Sequence, residues 1–210
     1  MKLLPNETII RAIQPYGITA SSQLCDQIRV YIDLLLRWNQ KTSLTTVTQP
    51  EDIARFHFGE SLLAVPSVPI RHGRLADVGS GAGFPAVPIR MVSKDLSVIL
   101  IESNQKKATF LAEVVRELQL GSVEVRRSRM EDASFEDEPV DYVSARAVRI
   151  DDGFLDWSRQ SLNSGGSLVL WLGEDDAAKI SGNPAWKWEN LIRIPHSERR
   201  VILRGTEILP

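Results

Sequence analysis

Along the first seventy positions, apolar residues recur at the three- and four-residue intervals of helices that bury one face. The pattern predicts a short helix around Thr8 to Gln14, ended by Pro15 and Gly17. A longer one follows, capped by Ser21-Ser22, with Leu24, Ile28, Tyr31, Ile32, Leu35 and Trp38 on one face. Pro50 is placed to open a third helix running to about Val65. The composition shifts between Pro66 and Gly73, and from Arg74 short apolar runs alternate with helical stripes. Strands are predicted at Leu75 to Val78, Val98 to Ile101, Val123 to Val125, Val140 to Val143 and Leu168 to Leu172. Between them come a helix with Pro85 in its first turn, one capped by Ser103 or Asn104, and one near Phe154 to Leu162. The middle helix carries the stripe Phe110, Leu111, Val114, Val115 and Leu118, with Gly121 as a left-handed stop. This alternation folds as an open parallel α/β sheet, and Trp186 to Ile194 with Arg200 to Leu203 add an antiparallel edge. Residues 1–70 are expected as a helical extension packed on a core of residues 71–210.

Composition bounds the function. With 210 residues, 43% hydrophobic and 25% charged, the chain reads as an ordinary globular protein. A net charge of -2 argues against coating nucleic acid through an overall positive field, while leaving room for a local basic face. The single cysteine, Cys25, lies in the apolar stripe and makes neither a disulfide nor a thiolate metal site, so no metal is expected. Met1-Lys2-Leu3-Leu4-Pro5 turns polar at once, unlike a signal peptide, and no stretch approaches membrane-spanning length. A cytoplasmic location and a monomer are the expectations.

Chemistry concentrates at Asp77-Val78-Gly79-Ser80-Gly81-Ala82-Gly83-Phe84. A loop that leaves a buried strand and opens a helix points backbone amides at whatever lies above the carboxyl edge of the sheet. Gly79, Gly81 and Gly83 supply unusual backbone angles and let a ligand approach closely, and Asp77 is placed to fix the loop or a ligand's ammonium. A dinucleotide loop has the spacing G-x-G-x-x-G, whereas Gly-Ser-Gly-Ala-Gly-Phe is shorter and favours S-adenosylmethionine. Glu102, ending the second strand, is placed to accept from both ribose hydroxyls. Met130-Glu131 would sit beside the adenine, although an ordinary loop accounts for that pair equally well.

These residues carry a family resemblance. The chain resembles the bacterial RsmG (GidB) family through Arg37-Trp38-Asn39 with Leu44-Thr45, Asp77 to Pro85, and Glu102-Ser103-Asn104-Gln105-Lys106-Lys107. Ser144-Ala145-Arg146-Ala147, a loose match to the family's Ser-Arg-Ala element, and Glu198-Arg199 add to it. The resemblance implies a class I (Rossmann-like) methyltransferase that uses S-adenosylmethionine to methylate guanine N7 in small-subunit (16S) ribosomal RNA. It implies a cofactor pocket at Gly79, Phe84, Glu102, Met130, Glu131 and Arg146, to which Ser80, Gly81, Gly83 and Ser103 belong by position. It puts Asn39 and His57 near the substrate mouth, although a lone histidine between Phe56 and Phe58 is more often a packed or capping residue. The chain departs from the family pattern at Ser43, at Phe56 before His57, at Glu60 before Ser61, and at Leu172 before Gly173.

Methylation at N7 requires no proton to be removed first, so no residue is assigned as acid or base and Arg146 is given a positioning role. RNA contacts are expected from Lys106, Lys107, Arg199 and Arg200, within a wider basic set of Arg126, Arg127, Arg129, Arg146, Arg149 and Arg204. Trp186 and Trp188 alternate as strand residues do and fit packing better than base stacking. A small-molecule methyltransferase and a non-catalytic nucleotide-binding module are the alternative functions, disfavoured by the N-terminal elements and the family motifs.

Overall fold

The computed structural model describes residues 4–208. Met1 to Leu3, part of the start read above as unlike a leader, lie outside the described residues. Helix α1 (Asn6–Ile13) runs into a tight turn, Gln14–Tyr16, that Gly17 ends at φ 77°. Ser21 caps α2 (Ser22–Asn39), its hydroxyl accepting from the Leu24 amide at 3.1 Å.

Pro50 does open a helix, but the expected single run to Val65 is four pieces. These are α3 (Pro50–Asp52), a π-helical stretch Ile53–Gly59, α4 (Glu60–Leu62) and α5 (Ala64–Ser67). A widened coil redirects carbonyls that an α-helix would use internally. One of them meets a side chain from the sheet, Phe56 O accepting from Arg146 Nη2 at 3.1 Å, and just past the stretch Glu60 O accepts from Trp171 Nε1 at 2.8 Å. Gly59 fits here because a Cβ would stand 2.3 Å from the Tyr16 ring.

The alternating part follows as β1 (His72–Val78), α6 (Ala86–Val92), β2 (Asp95–Ile101), α7 (Gln105–Glu117), β3 (Val123–Arg126), β4 (Val140–Arg146), α8 (Asp152–Ser161), β5 (Leu162–Gly173), α9 (Glu174–Ile180), β6 (Trp186–Trp188), β7 (Ile192–Arg193) and β8 (Arg200–Glu207). Pro85 stands one residue before α6 rather than inside its first turn. Asn104, not Ser103, caps α7, its side chain accepting from the amides of Lys106 and Lys107. The left-handed residues after α7 are Gln119 (φ 51°) and Ser122 (φ 55°), not Gly121.

The strands lie in the order β3-β2-β1-β4-β5-β8-β6, with β7 also paired to β8. Strands β1 to β5 are parallel, while β8 runs antiparallel to β5. The expected antiparallel edge is therefore more elaborate: β8 is inserted one place in, and the Trp186 to Ile194 segment breaks into β6 and β7 along it. Trp186 is buried and its ring lies 5.5 Å from that of Trp188, so this pair packs the sheet.

Strand residues alternate between two apolar layers. Leu75, Val98 and Leu100 join the helices α1, α2, α6 and α7 on one face, while Ala76, Val78, Ile99 and Ile101 meet Phe154 and Leu155 of α8 on the other. Tyr31, Phe58 and Phe110 are fully buried in the first layer, so the N-terminal helices share one core with β1 and β2. Each such aromatic side chain contributes roughly 1.5–3 kcal/mol by leaving water. Because β1 leads to β2 on one side and neighbours β4 on the other, a crevice opens above their carboxyl ends, where open α/β sheets bind ligands.

Candidate active site

The glycine loop stands over that crevice. Gly79, Gly81 and Gly83 take φ values of 67°, 55° and 85°, a region that favours glycine. The amides of Gly79 and Ser80 both donate to Ile101 O, at 2.9 and 3.1 Å, which pins the loop over the end of β2. At Gly83 a Cβ would stand 2.3 Å from Tyr31 Oη, whose hydroxyl donates to Ala82 O at 2.6 Å. At Gly81, in contrast, a Cβ would meet nothing nearer than Gly79 O at 3.7 Å, so this side of the loop is open to a ligand.

Two carboxylates flank the loop. Glu102 accepts from the Gly81 amide on Oε2 at 2.9 Å and from the Asn104 amide on Oε1 at 2.7 Å, joining the loop to the start of α7. Ser103 beside it is exposed. Asp77 is buried, and its Oδ1 accepts from Ser144 Oγ on β4 at 2.6 Å, whereas Oδ2 has no partner. Ser80 Oγ donates to the Asp77 carbonyl at 2.9 Å. Burial pushes the Asp77 carboxyl up to about 7, against the pull of its serine hydrogen bonds.

The sign of this shift sets a pH dependence. The folded state holds a proton on Asp77 that the unfolded chain releases near its ordinary value of 3.8, so stability is lost as pH rises from there through about 7. Asp77→Asn is expected to flatten that segment of the stability curve, measured by urea unfolding across the range. An identical slope in both proteins would refute the assignment.

Phe84 follows Gly83 directly, stacked between Tyr31 at 5.3 Å and His57 at 4.8 Å, with Phe58 edge-on at 5.3 Å. His57 Nε2 lies 2.7 Å from Thr45 Oγ1, while Nδ1 is buried without a partner. Burial, then the charges of Arg146 and Arg200, push this imidazole down to about 3, so it is neutral at physiological pH. Asn39 is occupied by its own neighbours: Oδ1 accepts from the amides of Leu44 and Thr45, and Nδ2 donates to Thr45 O. It thereby shapes the turn that presents Thr45 to His57.

Arg146, at the end of β4, is committed to the fold. Its Nη2 donates to Glu60 Oε2 at 2.9 Å, and Arg200 Nη2 lies 2.7 Å from Glu60 Oε1. Glu60 is 1% exposed, and burial raises its carboxyl while the two arginines oppose the shift. Arg146 Nη1 remains buried without a partner.

The remaining candidates spread out. Met130 begins a short 3-10 turn, Met130–Asp132, and is half-buried on the second apolar layer, with Glu131 exposed beside it. Lys106 and Lys107 occupy the first turn of α7. The other cations do not form one free field: Arg126 pairs with Glu124, Arg149 with Asp151, Arg199 with Asp175 and Arg204 with Glu189. Sequence reasoning missed Tyr31, Thr45, Ser144 and Glu60 as parts of the site. Ser144 and Thr45 stand in motifs that were noticed, but Tyr31 looked like any core position of α2.

The family described as GidB, rRNA small subunit methyltransferase G, matches residues 24–190. The chain belongs to this family. The matched span runs from early α2 to just past β6 and contains the glycine loop, Glu102, His57 and Arg146. The ribosomal RNA small subunit methyltransferase G of Ectopseudomonas mendocina (strain ymp) is 36% identical over 166 residues, covering 79% of this chain and 76% of its own length. That of Xanthomonas axonopodis pv. citri (strain 306) is 38% identical over 155 residues, covering 74% and 72%. Among solved structures, a SAM dependent methyltransferase from Aquifex aeolicus matches with a TM-score of 0.61 at 16% identity, over 71% of this chain and 90% of its own. M. jannaschii TYW2 in complex with AdoMet matches at 0.51 and 18% identity, over 66% and 70%. The fold is thus the Rossmann-like methyltransferase fold. Among the described residues no helix is long and apolar enough to cross a membrane.

Proposed function

We propose that this chain transfers the methyl group of S-adenosylmethionine to N7 of a guanine in small-subunit (16S) ribosomal RNA. The observation that carries this most directly is Glu102 tied to the open face of the Gly81 loop, in a chain of the small-subunit rRNA methyltransferase family. Each oxygen of Glu102 already accepts one backbone N–H and keeps lone pairs for the ribose hydroxyls. Asp77 Oδ2, buried and unpartnered, is suited to an ammonium, and Gly79, Ser80, Gly81, Gly83 and Phe84 would supply the loop that holds the cofactor between the two carboxylates. Ser103, Met130 and Glu131 would flank the adenosyl group, with Met130 offering an apolar surface to the ring.

The cofactor, when bound, supplies a methyl group on a positively charged sulfur. Guanine N7 carries a free lone pair at neutral pH, so no general base is called for, and alignment with local charge carries the rate. His57, kept neutral, adds no positive charge beside the sulfonium. Its Nδ1 and the free Nη1 of Arg146 are unpartnered nitrogens beside Phe84 and at the end of β4, available to position the base. Lys106, Lys107, Arg199 and Arg200 would meet phosphates, and Asn39 would act through the turn it holds.

A cytoplasmic location goes with a ribosomal substrate. One chain suffices for a site, because Asp77, Glu102 and the glycine loop all come from one sheet, and residues 1–70 work as an extension on the core of residues 71–210. Purified protein is expected to transfer labelled methyl groups to 16S RNA, or to small-subunit particles, from cells lacking the corresponding gene. The label should appear as 7-methylguanine. No transfer to either substrate, while calorimetry shows the cofactor bound, would end this assignment.

A further inference from the structure

A cleft of about 450 Å³ opens between the end of α2 and the start of α7. Leu34 and Trp38 give it an apolar floor, and Arg37, Lys41 and Lys106 stand around it against one carboxylate, Glu113. Glu113 Oε2 accepts from Trp38 Nε1 at 2.9 Å, which engages the acid locally and fixes the plane of the indole. Phe110 supports that ring edge-on at 5.8 Å. Arg37 pairs with Asp33 on the exposed side of α2, whereas Lys41 and Lys106 project from exposed positions. In a chain of net charge -2, three cations around one flat apolar surface form a local exception.

The cleft is also joined to the cofactor crevice. Glu102 Oε1 accepts from the Asn104 amide, and Asn104 Oδ1 accepts from the amide of Lys106. On the α2 side, Asn39 holds the turn that follows Lys41 and carries Thr45 to His57. Each rim of the cleft is thus tied by short hydrogen bonds to a wall of the methyl-transfer site.

We infer that this cleft seats an unpaired nucleotide of the RNA next to the target guanine, its base lying on Trp38 and its phosphates meeting Lys41 and Lys106. This rests on the ribosomal RNA substrate proposed above. An occupant must combine a flat apolar body with negative charge on either side, which describes a nucleotide of a single strand. Stacking on an aromatic ring is tolerant of base identity, so the seat adds affinity and register while the guanine is chosen in the crevice.

The test uses intact protein and 16S RNA from cells lacking the gene. Lys41→Glu with Lys106→Glu is expected to raise the KM for RNA by about tenfold or more and to lower the salt dependence of binding by about one to two phosphate contacts. Trp38→Leu should raise KM by at least about fivefold, with Trp38→Phe recovering most of it. Cofactor affinity, measured by calorimetry on the same preparations, should stay at the wild-type value. An unchanged RNA KM and salt slope would overturn the seat while leaving wild-type methyl transfer in place. An effect confined to particles that contain protein, and absent on naked RNA, would overturn it too. Wild-type protein that binds cofactor and methylates no RNA would remove the functional proposal and this inference together.

Discussion

Arg146→Ala is expected to lower the unfolding free energy at neutral pH by about 3 kcal/mol, near the lower end of the cost of stranding a buried charge. Glu60 is the reason: it is 1% exposed, and Arg146 Nη2 supplies one of its two cationic partners as well as the donor to Phe56 O. Arg200 remains, half-exposed, with Nη2 2.7 Å from Glu60 Oε1 and Nη1 donating to Oε2 at 3.1 Å, which keeps the loss from being larger. Burial already raises the Glu60 carboxyl, and removing Arg146 raises it further. The variant's folded state then binds a proton more readily than its unfolded state, so its deficit should shrink as pH falls and grow as pH rises. Urea unfolding at mildly acidic and mildly basic pH checks this. Replacing both partners, Glu60→Gln with Arg146→Met, should recover much of the stability without recovering methyl transfer. If the single variant loses less than about 0.5 kcal/mol, which is surface-substitution behaviour, the buried pair does not hold the fold together.

The same pair shows what a sequence conveys and what it withholds. The strand run Val98 to Ile101 announces itself because residues buried on both faces leave an unbroken apolar stretch, and Leu75 to Val78 stays legible although Asp77 interrupts it. Gly79, Gly81 and Gly83 were legible for the same local reason, since the backbone angles they adopt are ones other residues avoid. Helix α9 was not, because Glu174–Ile180 is short and polar and fully buries only Ala177, leaving no stripe to see. The backward extension of β5 to Leu162 runs through Asn163, Ser164 and Gly165, residues that read as a turn. Gly121 fits a helix stop by type, but Gln119 and Ser122 carry the left-handed angles.

Long-range pairings were the least legible. Glu60 entered the sequence reading only as a departure from a family pattern, since nothing in its neighbours shows that β4 and β8 would bring arginines to it. The stack of His57 on Phe84 joins residues far apart in the chain, and the π-helical stretch hides because its apolar residues have no period distinct from an ordinary helix. Asn39, singled out as a substrate contact, turned out to have every polar atom of its side chain engaged by the turn it precedes. A residue type and a position in a motif therefore do not show which atoms the fold leaves free.

Glu102→Ala is expected to weaken S-adenosylmethionine binding by about 100-fold, because two hydrogen bonds from ribose hydroxyls to a carboxylate contribute about 3 kcal/mol together. The loss has a second source. Gly81 N and Asn104 N, now at 2.9 and 2.7 Å from the carboxylate, would be left without an acceptor, so the open face of the loop would no longer be held in place. Glu102→Gln is not a mild alternative. Both oxygens accept from backbone N–H groups, so either orientation of the amide turns an NH2 toward a donor, and a loss of about tenfold or more is expected. Glu102→Asp keeps both acceptors on a shorter stem and should fall between wild type and alanine. Calorimetric titration with the cofactor and with its demethylated product measures these losses, and circular dichroism separates them from unfolding. Affinities within twofold of wild type in the alanine and glutamine variants alike would mean that the adenosyl group is held elsewhere, and the assignment of the crevice would go with them.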